Sequence, residues 1–279
     1  MKIYYFYNDK FLKVLDIFKN SMKDDFELKP TKVDDKIHLG KNLWLLKPHL
    51  IIEAIKNNLK NESVIIFSDV DIMFFKPVIP MIEKLMKGKD MLFQREHGWT
   101  GDPKDFWKGE CPLGHNGVNI GFIAIKCNNR SLLFWQKVSI AVKHTALWDQ
   151  EVVNFLLKIN YESSVPSRCH LSKFISDDWL EKHKKKDDDI CHFLLDKYGE
   201  VDFDDELLQE KHPLFIDKDN FSWGCFPEQI WAWSHGDIKS DICLAHANLY
   251  GGDPPEWKIT MLRQFETRVG LLKESNEST

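Results

Sequence analysis

Hydrophobic and polar positions fall into short strand-like runs separated by helical spacings through about residue 158. Lys2–Tyr7 is an apolar, aromatic run with strand character. Asn8 or Asp9 then stands where a helix cap is wanted, and Phe11, Val14, Leu15, Phe18 and Met22 keep helical spacing behind it. A second helix is expected to open on Pro48, whose missing N–H costs least in a first turn, and to bury Leu50, Ile51, Ala54, Ile55 and Leu59. Val64–Phe67 is wholly apolar, as a strand covered on both faces of a parallel sheet would be. The run stops at Ser68-Asp69-Val70-Asp71 and resumes as Ile72–Phe75 before Pro77. A helix around 78–88, a strand around 90–95, a strand at Asn119–Lys126 and helices around 130–143 and 148–158 follow. This alternation predicts an α/β fold with an open, mostly parallel central sheet flanked by helices.

Beyond residue 158 the pattern loosens. His183–Asp189 is a charge run that reads as a solvated loop or helix end. Residues 160–240 read as a variable part with short elements, and Leu271–Thr279 as a frayed tail. With no internal repeat and no low-complexity linker, one domain over 1–270 is expected, followed by a tail at 271–279. Of the 279 residues 43 % are hydrophobic, enough to fill a core without disulfide staples. The net charge of −5, with Lys and Arg dispersed, lacks the basic stripe of a nucleic-acid binder. The opening apolar run is cut short by Asn8-Asp9-Lys10, too early for a signal peptide, and no window approaches the ~18 apolar residues of a membrane span. A soluble, cytoplasmic protein without a transmembrane segment is therefore expected. Its six cysteines are scattered without the short spacings of a zinc site, which suits reduced thiols. The ten tryptophans and nineteen phenylalanines admit two uses, a bulky core and platforms for sugar rings.

Asp69 and Asp71 carry the sharpest chemistry. In an extended segment residues two apart point to the same side, so both carboxylates face one ligand. They follow a buried strand, and open α/β sheets bind ligands at strand carboxyl ends. Two hard oxygen donors suit Mg²⁺ or Mn²⁺ with positions left for phosphate oxygens. Spacing alone also admits a turn or a cap. Asp149 stands at the expected start of a helix, where a cap and a ligand contact are both open readings. His246 is likewise either a satisfied core histidine or a ligand.

The segment from Phe67 through Asp69 and Asp71 to Pro77 resembles the Asp-x-Asp stretch of nucleotide-diphospho-sugar transferases with the GT-A (Rossmann-like) fold. Asn119-Ile120-Gly121-Phe122 looks like their Asn-x-Gly-Phe strand, Trp148–Asn154 like their Asp-Gln-x-x-x-Asn helix start, and His246–Gly251 like their late His…Gly segment. The four occur in the family's order and resemble the glycogenin-like and the plant xylosyl-, galactosyl- and arabinosyltransferase branches. The resemblance implies a single GT-A domain, with a nucleotide-sugar-binding half at 1–158 and an acceptor-side half at 159–270. It implies a Mn²⁺ or Mg²⁺ ion held by Asp69, Asp71 and His246, and a UDP-sugar donor of xylose, galactose or glucose. The acceptor would be a carbohydrate or glycoprotein hydroxyl.

Carried over by residue, Asp149 and Gln150 touch the donor sugar at the reacting centre, with Trp148 as an apolar wall. Tyr5, Tyr7 and Asn8 seat the base, a ring stacking on uracil, and Lys47 reaches the diphosphate or base. Asn119 and Gly121 approach the sugar, and Asn248 and Gly251 the diphosphate. Arg95 is a further phosphate or acceptor candidate. Phe221–Gly224 and Trp231–Gly236 are aromatic enough to form an acceptor cleft. The chain departs from the pattern after Gly251, where no Lys-Pro-Trp follows and Lys258 is the nearest later lysine. Two other classes stay open. An aspartyl-phosphate phosphohydrolase also places Asp-x-Asp after an apolar strand, though here two βα elements come first and Met73 stands where Thr or Val is usual. A nucleotide-sugar-binding module without transfer is the non-enzymatic alternative.

Overall fold

The computed structural model describes residues 1–34, 41–97, 118–144, 149–157, 221–230, 232–233, 241–247 and 255–277. Strand β1 (Lys2–Tyr7) buries Ile3 and Tyr5 on one side and packs Tyr4 and Phe6 on the other. A single 3-10 turn at Asp9–Phe11 separates it from α1 (Leu12–Ser21), which buries Val14, Leu15 and Phe18. That turn displaces the expected cap. Asn8 bonds Phe11 through its backbone, and its buried Oδ1 accepts no hydrogen bond. Strand β2 (Glu27–Lys32) runs parallel to β1 at the sheet edge, with its side chains half-buried or exposed.

Helix α2 spans Lys41–Lys56, so Pro48 lies inside it and not in its first turn as expected. The ring removes one intrahelical donor. Burial of Leu45, Leu46, Ile51, Ile52 and Ile55 offsets that cost. Then follow β3 (Val64–Ser68), β4 (Ile72–Phe74), α3 (Ile79–Leu85), β5 (Met91–His97) and β6 (Val118–Lys126). Helices α4 (Asn129–His144) and α5 (Asp149–Leu156) close the first part. Short strands β7 (Trp223–Cys225), β8 (Ala232–Trp233) and β9 (Leu244–His246) lead to α6 (Pro255–Glu277). The helix α6 runs through the stretch expected as a tail.

Among the described residues the main sheet has seven strands in the order β2-β1-β3-β6-β5-β7, with β8 also on β5. Pairing is parallel except at β6, which is antiparallel to both β3 and β5. Helices α2, α4 and α5 cover one face in one apolar cluster, and α1, α3, α6 and the β4–β9 pair cover the other. The architecture is the expected α/β one, a mostly parallel sheet between helical layers. No described helix is long and apolar enough to cross a membrane.

At the start of β5, Asp90 is buried and accepts from Asn128 Nδ2 (2.8 Å), the Ser222 N–H (2.8 Å) and Arg130. Burial opposes its charged form, but Arg130, Ser222 and Asn128 outweigh that and hold the carboxyl below its ordinary range. The Arg130 side chain is 51 % exposed, so its ion pair contributes little and the buried donors carry the effect. Asp90→Ala is expected to cost roughly 2 kcal/mol, because the buried Asn128 amide and the half-buried Ser222 N–H lose their acceptor. A urea unfolding curve checks this. The cost of opening this corner should leave nucleotide binding by the folded fraction unchanged.

Candidate active site

The carboxyl end of β3 and its continuation into β4 place the two carboxylates. The Asp69 N–H donates to the Gly121 carbonyl at 2.7 Å, extending the β3–β6 pairing by one residue. Val70 turns inward to the core, so Asp69 and Asp71 share the outer side, as the period of two requires. On β9, His246 pairs with Ile72, and the Ala247 N–H donates to the Asp71 carbonyl at 2.8 Å. The histidine is thereby brought to the carboxylates from 175 residues along the chain.

His246 Nε2 lies 3.2 Å from Asp71 Oδ1 and 3.9 Å from Asp69 Oδ2. One donor atom from each of the three residues lies within 4.8 Å of the others, a grouping that could hold a metal ion. His246 is 3 % exposed, and its Nδ1 is buried without a hydrogen-bond partner.

Two ammonium groups complete the site. Lys47, from α2, places Nζ 2.7 Å from Asp69 Oδ1 and 2.8 Å from Oδ2, with the Ile120 carbonyl at 3.3 Å. Lys258, from the first turn of α6, places Nζ 2.9 Å from Asp71 Oδ2 and donates to the Ala247 carbonyl. Burial works against the Asp71 carboxylate, yet Lys258 and His246 outweigh it and hold the group far below its usual range. Burial also depresses the Lys47 ammonium, but Asp69, Asp149 and Asp71 outweigh it and the net shift is upward. Two carboxylates are thus balanced by two buried lysines.

Asp149 opens α5, is nearly buried, and accepts the Gln150 N–H at 3.0 Å. Burial pushes its carboxyl up to about 6, against the opposing pull of Lys47 and that N–H. Gln150 Oε1 accepts from the Ile120 N–H at 3.4 Å. Asn154 ties the same helix to β6 through the Val118 N–H (2.7 Å) and carbonyl (3.0 Å). The seven residues from Trp148 to Asn154 therefore include a helix-to-strand tether that the motif alone did not reveal.

Other expected residues scatter. Asn119 is buried and its Oδ1 accepts the Gly121 N–H at 2.7 Å. Tyr5 lies in the core edge-on to Phe18 at 5.2 Å, so its ring is closed to a stacking base, while Tyr7 remains half-buried at the strand end. Phe221 is buried and stacks on Phe134 at 4.9 Å, and the half-buried Trp223 meets Phe93 edge-on at 6.2 Å. Arg95 is half-buried on β5. Trp148, Asn248, Gly251, Trp231 and residues 234–236 lie outside the described residues. Lys258, the nearest lysine after the missing Lys-Pro-Trp, belongs to no matching motif, yet the fold sets it on Asp71. Two clefts, of about 1010 and 600 Å³, lie elsewhere, one at the opposite end of the sheet and one beside α1 and α6.

A model of the family described as nucleotide-diphospho-sugar transferase matches residues 39–248, which hold Lys47, Asp69, Asp71, Asn119, Asp149 and His246. No curated protein matches the sequence. Among solved structures, the chain is similar to a glycosyltransferase involved in the glycosylation of the major capsid of PBCV-1. The identity is 8 %, over 92 % of this chain and 98 % of that one, with a TM-score of 0.43. It is also similar to mouse xyloside xylosyltransferase 1 in its apo form, at 11 % identity over 91 % and 100 % of the two chains and a TM-score of 0.37. A galactosyltransferase in complex with donor and acceptor sugar analogues matches at 13 % identity over 98 % and 96 %, with a TM-score of 0.31.

Proposed function

The chain belongs to the nucleotide-diphospho-sugar transferases, and from that membership we propose that it moves xylose, galactose or glucose from a UDP-sugar to a glycan or glycoprotein hydroxyl, with a divalent cation held by Asp69, Asp71 and His246. The observation that carries this reading is the meeting of those three side chains, from two separate sheets, within 4.8 Å of one another. The donor set fits the ion. Two carboxylates and an imidazole are suitable ligands for Mn²⁺, and carboxylate oxygens alone suit Mg²⁺.

An ion bound there supplies charge against the diphosphate as the sugar departs. The chain's own groups do the rest. Lys47 holds both oxygens of Asp69 and so fixes the carboxylate's direction. Lys258 gives up Asp71 and turns its ammonium to a phosphate oxygen, the more strongly charged acceptor. Asp149, desolvated beside Lys47, accepts a hydrogen bond from a hydroxyl of the donor sugar. Gln150 holds the Ile120 N–H, so it keeps β6 in place beneath the sugar and positions more than it contacts.

Lys258→Met separates these roles. With its competitor for Asp71 gone, Mn²⁺ alone is expected to bind about fivefold tighter. UDP in the presence of Mn²⁺ is expected to bind about tenfold more weakly, for want of the phosphate contact. Calorimetry of both titrations gives the two changes, and loss of affinity in both would remove Lys258 from this role. For the reaction itself, a panel of UDP- and GDP-sugars with Mn²⁺ and simple glycosides is scored by mass spectrometry of the acceptor. A mass gain of one pentose or hexose with a UDP-sugar supports the proposal. Nucleotide binding without transfer to any acceptor, or phosphate-monoester hydrolysis in its place, contradicts it.

A further inference from the structure

Two of the three ligand residues belong to the small β4–β9 pair and one to the main sheet, so something must fix the distance between the two sheets. Asp71 precedes β4 and His246 ends β9. Asp69 is tied to β6 through its N–H on the Gly121 carbonyl. The two parts meet at Gly121. A methyl group on its α-carbon would lie 2.1 Å from His246 Cε1 and 2.7 Å from Nδ1, with Asn119 Oδ1 at 2.9 Å. The His246 ring thus occupies the side-chain position that this residue leaves empty.

Backbone freedom does not explain the glycine. Its φ is outside the left-handed region, so an alanine could adopt the same backbone. Nor can the ring give way cheaply, because His246 is buried, paired to Ile72 through its backbone and set against Asp71 at 3.2 Å. Interiors are close-packed, and a ring displaced here moves its Nε2.

We propose that Gly121 is a positioning residue for the ion site, setting the separation of Asp69 and His246. Its carbonyl holds Asp69, its empty side-chain position seats the His246 ring, and Asn119 fixes its N–H. It acts through these two side chains and not by making room for the donor sugar. The proposal rests on reading Asp69, Asp71 and His246 as the ion site.

The test is a double-mutant cycle of wild type, Gly121→Ala, His246→Ala and the double variant, read by Mn²⁺ calorimetry and by metal-free thermal unfolding. Gly121→Ala is expected to weaken Mn²⁺ binding about 30-fold, the range found for groups that orient metal ligands. In the His246→Ala background the same substitution should change Mn²⁺ affinity less than about twofold, since the ring it displaces is gone. The midpoint of unfolding should follow the same pattern, falling with Gly121→Ala only when His246 is present. Wild-type affinity in Gly121→Ala, or an equal loss in both backgrounds, would overturn the proposal. If wild type binds no Mn²⁺, the ion-site reading fails and the unfolding cycle alone decides the seating. A single variant that does not fold but is rescued by His246→Ala supports the seat, and one that is not rescued refutes it.

Discussion

Asp71→Ala is expected to abolish Mn²⁺ binding and to lower sugar transfer by on the order of 10³-fold, the scale of a lost charge-stabilising group at a leaving diphosphate. Asp71 is also where Lys258 and His246 converge, at 2.9 Å and 3.2 Å. Removing the carboxylate leaves the 11 % exposed Lys258 ammonium without its counter-ion, which should destabilise the metal-free protein by about 3 kcal/mol. That second effect would confuse the first if activity alone were measured. Asp71→Asn keeps the shape and an acceptor oxygen, so it tests the charge more cleanly. Because its pKa is depressed, the native ionised Asp71 contributes stability that is present above the ordinary carboxylate range and lost only as pH falls below it. Both variants should therefore lose stability at neutral pH and differ least from wild type in strong acid. Urea midpoints at pH 7 and pH 2.5, beside calorimetric Mn²⁺ titrations, check the two effects separately. An Asp71→Ala protein that binds Mn²⁺ with native affinity would remove this residue from the ion site.

Asp149→Asn is expected to move stability and activity in opposite directions. Burial raises the Asp149 carboxyl to about 6, with Lys47 and the Gln150 N–H opposing. The folded chain therefore holds this proton more tightly than the unfolded chain does. The associated stability is complete below about pH 4 and is lost as pH rises through about 6. At pH 7.5 the charged, desolvated group costs the fold roughly 3 kcal/mol, its pairing with Lys47 already included. Asparagine keeps the oxygen that accepts the Gln150 N–H and drops the charge, so the midpoint of thermal unfolding should rise. Transfer should fall by about 10²-fold, since a neutral amide is a weaker acceptor for a sugar hydroxyl. Wild-type transfer should also rise with pH through about 6 as Asp149 ionises, and the variant should lose that limb. A destabilised variant with native turnover would assign Asp149 to capping α5 alone.

How much of this was legible depended on whether the signal was local. β1, β3 and β6 are apolar runs buried on one or both faces, and their sequences state as much. Direction is another matter: β6 reads as a buried strand, but nothing in Asn119–Lys126 says that it runs antiparallel to its neighbours. β2 leaves little sequence signal because its side chains are half-buried or exposed, and its place is set by backbone pairing to β1. α2 begins at Lys41, and the proline whose missing N–H suits a first turn lies in its middle. At the site, the carboxylate pair and His246 were visible as ordered motifs. Lys258 stood out only as the nearest lysine after Gly251, and its ion pair with Asp71 spans the chain and leaves no local pattern. The burial of Tyr5 could have been found, because it shares its face with Ile3 two residues earlier. For Gly121 the sequence leaves ligand approach and strand packing both open, and the fold fills the space with the His246 ring, 125 residues away.

The most direct test is the affinity of the wild-type protein for UDP, measured by calorimetry with Mn²⁺ and again with excess chelator. If Asp69, Asp71 and His246 hold a cation against the diphosphate, Mn²⁺ should tighten UDP binding at least about tenfold, and the chelator should return it to the metal-free value. Equal affinity with and without the ion would contradict the ion site, whatever the turnover turns out to be.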